Sequence, residues 1–196
     1  MTFMTWLMLA SAVWADGEAE LAEYRRLSGE MEMLGQRAQW KGVSKHFEKM
    51  CQLTVSIKEK DYLLAAQAAQ EMGNMRQAVE HLRAAVEINP KQSTQRWLSQ
   101  IEEGYGNVEL RLLTKGEPKL EAHSYPVDPV KRNVINVAQE MLNETDEFIG
   151  MLPVGDYTFI DYQFEVQSGV AIQLELSPKQ RRNGLIAPLF IRHNDE

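Results

Sequence analysis

Four histidines and one cysteine are the side chains best suited to chemistry at neutral pH, and their spacing argues against a shared centre. His46, His81, His123 and His193 each stand without another His, Cys or carboxylate at an interval diagnostic of a metal site. No metal and no cofactor is therefore expected. His46 and His81 lie 35 residues apart in two similar segments. That relation places both on the same partly exposed helix face rather than in a paired site. Cys51 has no second cysteine to join. It falls on an apolar helical stripe, where a thiol is expected to act as a small core side chain. The chain carries no phosphate loop, nucleophile elbow or HExxH. Its many carboxylates are expected to be solvated helix surface, so the chain is not expected to be an enzyme.

The elements that would carry these residues fall into two regimes. With 196 residues, 44% hydrophobic and 25% charged, the chain has the composition of a globular protein. Its formal charge of -7 argues against a nucleic-acid partner, which would need a cationic face. Residues 1–15 are mostly apolar and uncharged, and end in Ala12-Val13-Trp14-Ala15 before the acidic Asp16-Gly17-Glu18. Small residues at the last and third-last places suit signal peptidase. The segment is also shorter than the ~20 residues that span a bilayer. A cleaved signal over 1–15, with a periplasmic or secreted product, is the expectation.

From residue 18 to 103 the chain is rich in Ala, Glu, Gln, Leu and Met, and the only proline is Pro90. These are strong helix formers. Apolar residues recur at helical intervals in four runs. One holds Leu21, Tyr24, Leu27, Met31 and Leu34; the next Trp40, Val43, Phe47, Met50 and Cys51. A third spans Tyr62 to Met72, and a fourth holds Met75, Ala78, Leu82, Ala85 and Ile88. Trp40, Val43, His46, Phe47 and Met50 match Met75, Ala78, His81, Leu82 and Ala85 at a constant offset of 35. Helical-hairpin solenoids have a period of ~34 residues.

The segment from Tyr62 through Ala66, Gly73-Asn74, Ala78, Leu82 and Ala85 to Pro90 resembles the tetratricopeptide repeat family. Met31 and Val43 stand where the first hairpin would need small residues, so that copy is degenerate. Ser93 or Thr94 is expected to cap a third helix carrying Trp97, Leu98 and Ile101, which would close the stack. The resemblance implies a concave groove for a peptide or helix, lined by the first helix of each hairpin. The residues it implies there are Lys60, Leu63, Gln67, Gln70 and Glu71, with Arg25, Ser28, Glu32 and Gln36 by the offset.

Beyond Gly104-Tyr105-Gly106 come Val, Thr, Tyr and Phe with spaced prolines and glycines. Val108 to Leu112 and Val170 to Leu176 alternate apolar and polar residues as half-buried strands do. Leu152-Pro-Val-Gly-Asp-Tyr157, followed by Phe164-Glu-Val166, is similar to the prealbumin-like sandwiches of the PEGA and carboxypeptidase-regulatory-like families. Residues 130–143 fit either a helix or a strand, and this resemblance favours the strand. The tail, 179–196, is basic at Lys179, Arg181 and Arg182 and then apolar. It is expected to dock within the chain.

The expected architecture is α+β in two domains. A helical domain of about two hairpins and a capping helix covers 18–103, and a β-sandwich covers 106–178. The expected function is that of an exported scaffold binding a protein partner, with an envelope complex among the candidates. The alternative is a glycan or cell-wall module using Tyr157, Phe159, Tyr162 and Phe164 as an aromatic platform.

Overall fold

A computed structural model describes residues 5–113, 116–124 and 126–176, and of residues 5–16 the backbone alone. The expected tail, 179–196, lies outside the described residues, as do the side chains of the expected signal segment. The chain is mixed α and β. Five helices come first: α1 (Thr5–Gln36), α2 (Trp40–Met50), α3 (Glu59–Glu71), α4 (Met75–Ile88) and α5 (Gln92–Gly104). Strands β1 (Tyr105–Leu112) and β2 (Leu120–Ala122) follow, then α6 (Pro129–Thr145). The last four are β3 (Glu147–Pro153), β4 (Gly155–Phe159), β5 (Tyr162–Val166) and β6 (Ala171–Leu176). No helix among the described residues is long and apolar enough to cross a membrane.

The helices follow their apolar spacing. Val43, Phe47 and Met50 form the buried face of α2, and Met75, Ala78, Val79, Leu82 and Ala85 that of α4. In α3 the buried residues include Ala65, Ala66, Ala68 and Ala69, so this helix is covered on more than one side. The turns from α1 to α2 and from α3 to α4 have matching backbone bonds. Gln39 N–H reaches Leu34 O at 2.9 Å, and Asn74 N–H reaches Ala69 O at 2.8 Å. Each turn needs one left-handed residue, Ala38 at φ 53° and Gly73 at φ 80°. Glycine adopts that conformation without steric cost.

Two expectations about local structure are overturned. Residues 130–143 are helical, not a strand. Asp128 caps α6 by accepting from Val130 N–H at 2.9 Å, Pro129 occupies the first turn, and Asp146 ends it at φ 59°. Val134, Ile135, Ala138 and Leu142 then form one buried face at helical spacing. Neither Ser93 nor Thr94 caps α5. The capping position is Lys91, without a side-chain bond, and Thr94 is buried inside the first turn.

In one sheet β1 lies between β3, antiparallel, and β6, parallel; in the other β4 lies between β2 and β5. Val108, Leu110 and Leu112 face inward from β1, as do Ile172, Leu174 and Leu176 from β6. Their alternation matches the period of two of a half-buried strand. Chain passage between the sheets is tight: Pro153 ends β3, Gly155 begins β4, and the buried Tyr157 donates its hydroxyl to Pro153 O at 2.8 Å.

Apolar packing forms two clusters. The larger joins Ala66 and Ala69 of α3 to Ala78 and Leu82 of α4, Ile101 of α5, the α6 face and both sheets. It runs without a break across the change from helix to strand at Gly104–Tyr105. The smaller gathers Tyr24, Leu27 and Met31 of α1 and Val43, Phe47 and Met50 of α2 onto Ala65 and Ala68 of α3.

Candidate functional site

Helices α1 and α3 present two rows of polar residues. Arg25 and Glu32 are seven residues apart on α1, and Lys60 and Gln67 seven apart on α3. Seven residues are nearly two turns, so each pair shares a helix face. All four side chains are exposed. Glu32 and Lys60 form an ion pair across the two helices, joining the rows into one surface. Lys60 is held above the usual lysine range first by its hydrogen bond to Glu32. Gln36 is exposed at the end of α1.

The remaining expected residues have other employment. Ser28 is buried, not available to a partner. Its hydroxyl donates to Asp61 Oδ1 at 2.6 Å, and the Tyr24 hydroxyl donates to Asp61 Oδ2. The Tyr24 oxygen also accepts from Lys58 N–H at 3.1 Å. Burial, and then the Asp61 carboxylate, push the Tyr24 phenol up to about 12. Leu63 packs half-buried on the larger cluster. Gln70 accepts the indole N–H of Trp97 at 2.9 Å. Glu71 keeps an exposed side chain, while its carbonyl accepts from Asn133 of α6 at 2.9 Å. The chain's own α6 therefore closes the end of α3.

Asp61 and Tyr24 were not among the expected residues, although one sign of them is visible in the sequence. Ser28 follows Tyr24 by four and precedes Met31 by three, so a hydroxyl stands on the buried stripe of α1. A buried polar group requires a partner, and Asp61 on α3 supplies it.

Cys51 is exposed, contrary to the core position its stripe suggested. Met50 takes the last buried place, and Cys51 follows as the residue that ends α2. Partial desolvation, and then Glu48, push its thiol up. His46 and His81 do not converge on a common site. His46 Nδ1 lies 2.8 Å from Gly42 O and its Nε2 2.9 Å from Glu30, whereas His81 packs edge-on against Phe47 with ring centres 4.7 Å apart. His123 contacts the Thr158 hydroxyl at 2.7 Å, and His193 lies outside the described residues. Among the described residues no group of three or more His, Cys, Asp or Glu could hold a metal ion.

Burial pulls the His81 pKa down, against a smaller upward pull from Glu80. The fold thus favours the neutral ring. Protonation favours the unfolded chain once the pH falls below the free-histidine value of 6.5. Stability attached to this residue is complete above that pH and drains away below it. His81→Phe should remove the dependence. In urea unfolding at pH 7.5 and 5, wild type is expected to lose stability relative to the variant only at the lower pH. Carboxylates common to both proteins cancel in that difference.

A cleft of about 710 Å³ separates α4 from the outer face of β1, β3 and β6. Val79, Ile149 and Met151 are among its apolar residues, and its charges pair with neighbours: Arg83 with Glu102 at 2.8 Å, Glu109 with Arg111 at 3.0 Å. Ser168, which lines the cleft, donates its hydroxyl to the Glu102 carbonyl at 2.9 Å. The four aromatics do not form an exposed platform. Tyr157 and Phe159 are buried, and Tyr162 and Phe164 are half-buried against the core. No protein-family model, no curated protein and no solved structure matches the chain.

Proposed function

We propose that this chain is a non-enzymatic scaffold that receives a protein partner, a peptide or a helix, on the exposed face of α1 and α3. In this reading the helical half is a short tetratricopeptide-like stack, and the sheets behind it form a prealbumin-like module that braces α3 and α4. The protein works outside the cytoplasm, in the periplasm or as a secreted product, after loss of residues 1–15.

One observation carries the proposal: Arg25, Glu32, Lys60 and Gln67 are exposed on two adjacent helices and joined by the Glu32–Lys60 pair. Polar side chains in two rows, above a buried apolar floor, provide hydrogen bonds and charges to an extended or helical ligand. The usable face is narrower than the resemblance implies, because Ser28 and Gln70 are engaged within the chain and α6 bounds one end.

Photo-cross-linking in the native host tests this directly. A photoreactive residue at Gln67 is expected to trap one protein, and the same probe at the exposed Glu165 of β5 is expected not to. Combining Arg25→Glu with Lys60→Glu should weaken the adduct by roughly tenfold or more, as charge reversal at a complementary surface does. Equal labelling from both positions, or an adduct indifferent to the charge reversals, would refute the proposal.

A further inference from the structure

The structure assigns a second, more easily reached state to this protein: we propose that the α1–α2 hairpin lifts from α3 as a unit while α3–α6 and both sheets remain folded. The proposal stands on how the two apolar clusters meet. The fully buried residues that α3 lends to the smaller cluster are alanines, Ala65 and Ala68, while its larger side chains there, Tyr62 and Leu64, are only partly buried. Alanines and half-buried side chains remove less apolar surface from water than fully buried large ones, so this seam gains less from burial than the packing inside the larger cluster. On its other side α3 belongs to the larger cluster, which continues through Leu82 to Leu110, Leu152 and Phe159. The hairpin keeps most of its own apolar contacts, Tyr24, Leu27 and Met31 against Val43, Phe47 and Met50, when it moves.

Polar contacts complete the seam. Tyr24 and Ser28 donate to the buried Asp61, which is 1% exposed. The Glu32–Lys60 pair above it is half-exposed and adds little. Residues 51–58, joining α2 to α3, contain no regular element and can serve as the hinge. Phe47 meets Tyr62 of α3 and His81 of α4 edge-on, adding limited ring contact at the far side. Local opening of this kind is how units with few shared contacts escape a core that remains intact.

Asp61 is the latch. Both of its oxygens are bonded only while Tyr24 and Ser28 of α1 are seated, so loss of either donor leaves one oxygen short and penalises the docked state. The seam also crosses the α1–α3 face described above, but its opening follows from the packing alone and does not depend on a partner.

Hydrogen exchange on the full-length chain, under conditions where closing outpaces exchange, tests the proposal. Once undocked, a two-helix hairpin unravels readily, so amides of residues 18–50 are expected to exchange through an opening at least about tenfold more populated than the one that exposes 105–112. Tyr24→Phe keeps the ring and removes the donor. It should speed exchange over 18–50 roughly ten- to a hundredfold and leave 105–112 unchanged. Leu82→Ala, inside the larger cluster, should do the reverse, speeding 105–112 by a much larger factor than 18–50. One common opening for 18–50 and 105–112, or equal acceleration of both by Tyr24→Phe, would overturn the inference.

Discussion

Gly106→Ala is expected to cost about 3 kcal/mol, near the upper end of what overpacking does. The reason is a close approach. Gly106 is the second residue of β1, paired with Leu152 of β3. A Cβ there would lie 2.4 Å from the backbone oxygen of Gln167 and 2.7 Å from Val166 Cγ1. The oxygen belongs to main chain just beyond β5, so no side-chain rotation relieves the contact. One sheet would have to move away from the other, and the larger cluster would loosen with it. Gly104, two residues earlier, is the control, because a Cβ there meets nothing within 4 Å. Gly104→Ala at the end of α5 should be neutral or slightly stabilising. Urea unfolding should therefore show a much lower midpoint for Gly106→Ala with an unchanged slope, and little change for Gly104→Ala. Equal midpoints would mean that the sheets are not in contact at Gly106.

The sequence makes the nature of Gly106 hard to see. It stands in a Gly-Tyr-Gly segment that reads as a boundary, and boundaries are where glycine is ordinarily a matter of turning. Its actual role depends on β5, sixty residues away, crossing over β1. The same distance hides the parallel pairing of β1 with β6, in which Val108 meets Ile172 and Leu110 meets Leu174. Both strands are legible in isolation, because Val108, Leu110 and Leu112 alternate with polar neighbours as strictly as Ile172, Leu174 and Leu176 do. What alternation supplies is the inward face of each strand. Which strand lies beside which is a property of the whole chain.

Helix α6 is legible in its apolar spacing, but the prealbumin-like resemblance favours a strand there, and the residue types agree with it. Val134, Ile135 and Val137 are β-branched, and such residues lose rotamer freedom in a helix. That preference amounts to a few tenths of a kcal/mol per residue, whereas a capped first turn and a buried face contribute more. Asp128-Pro129 supplied the first, and Val134, Ile135, Ala138 and Leu142 the second. At the candidate surface, the tetratricopeptide resemblance pointed to Arg25, Glu32, Lys60 and Gln67 but could not reveal that Ser28 turns inward. The offset of 35 carried position from one hairpin to the other without carrying environment. Ser28 faces Asp61, while the matching Leu63 packs on the larger cluster.

Leu82→Ala should cost roughly 3 to 4 kcal/mol, the usual price of a large cavity at a fully buried leucine. Leu82 is 0% exposed, on the face of α4 that also carries Ala78 and Ala85. The alanines around it on α3 and α4 are too small to collapse into the space, and the backbones they bring together are already close. The cavity would therefore persist, which is the condition for the larger loss. Its effect should also reach the sheets. Leu82 belongs to the same apolar cluster as Leu110, Leu152 and Phe159, so weakening α4 weakens the body in which β1 is embedded. Circular dichroism at 222 nm, following the helices, and exchange of the β1 amides should report the same lowered urea midpoint. If the helical signal fell while the β1 amides kept their wild-type protection, the helices and sheets would be separate folding units. The continuity of packing across Gly104–Tyr105 would then have no energetic meaning. Coincident loss would instead identify α3, α4, α5, α6 and both sheets as one cooperative body, against which the α1–α2 hairpin is the separable part.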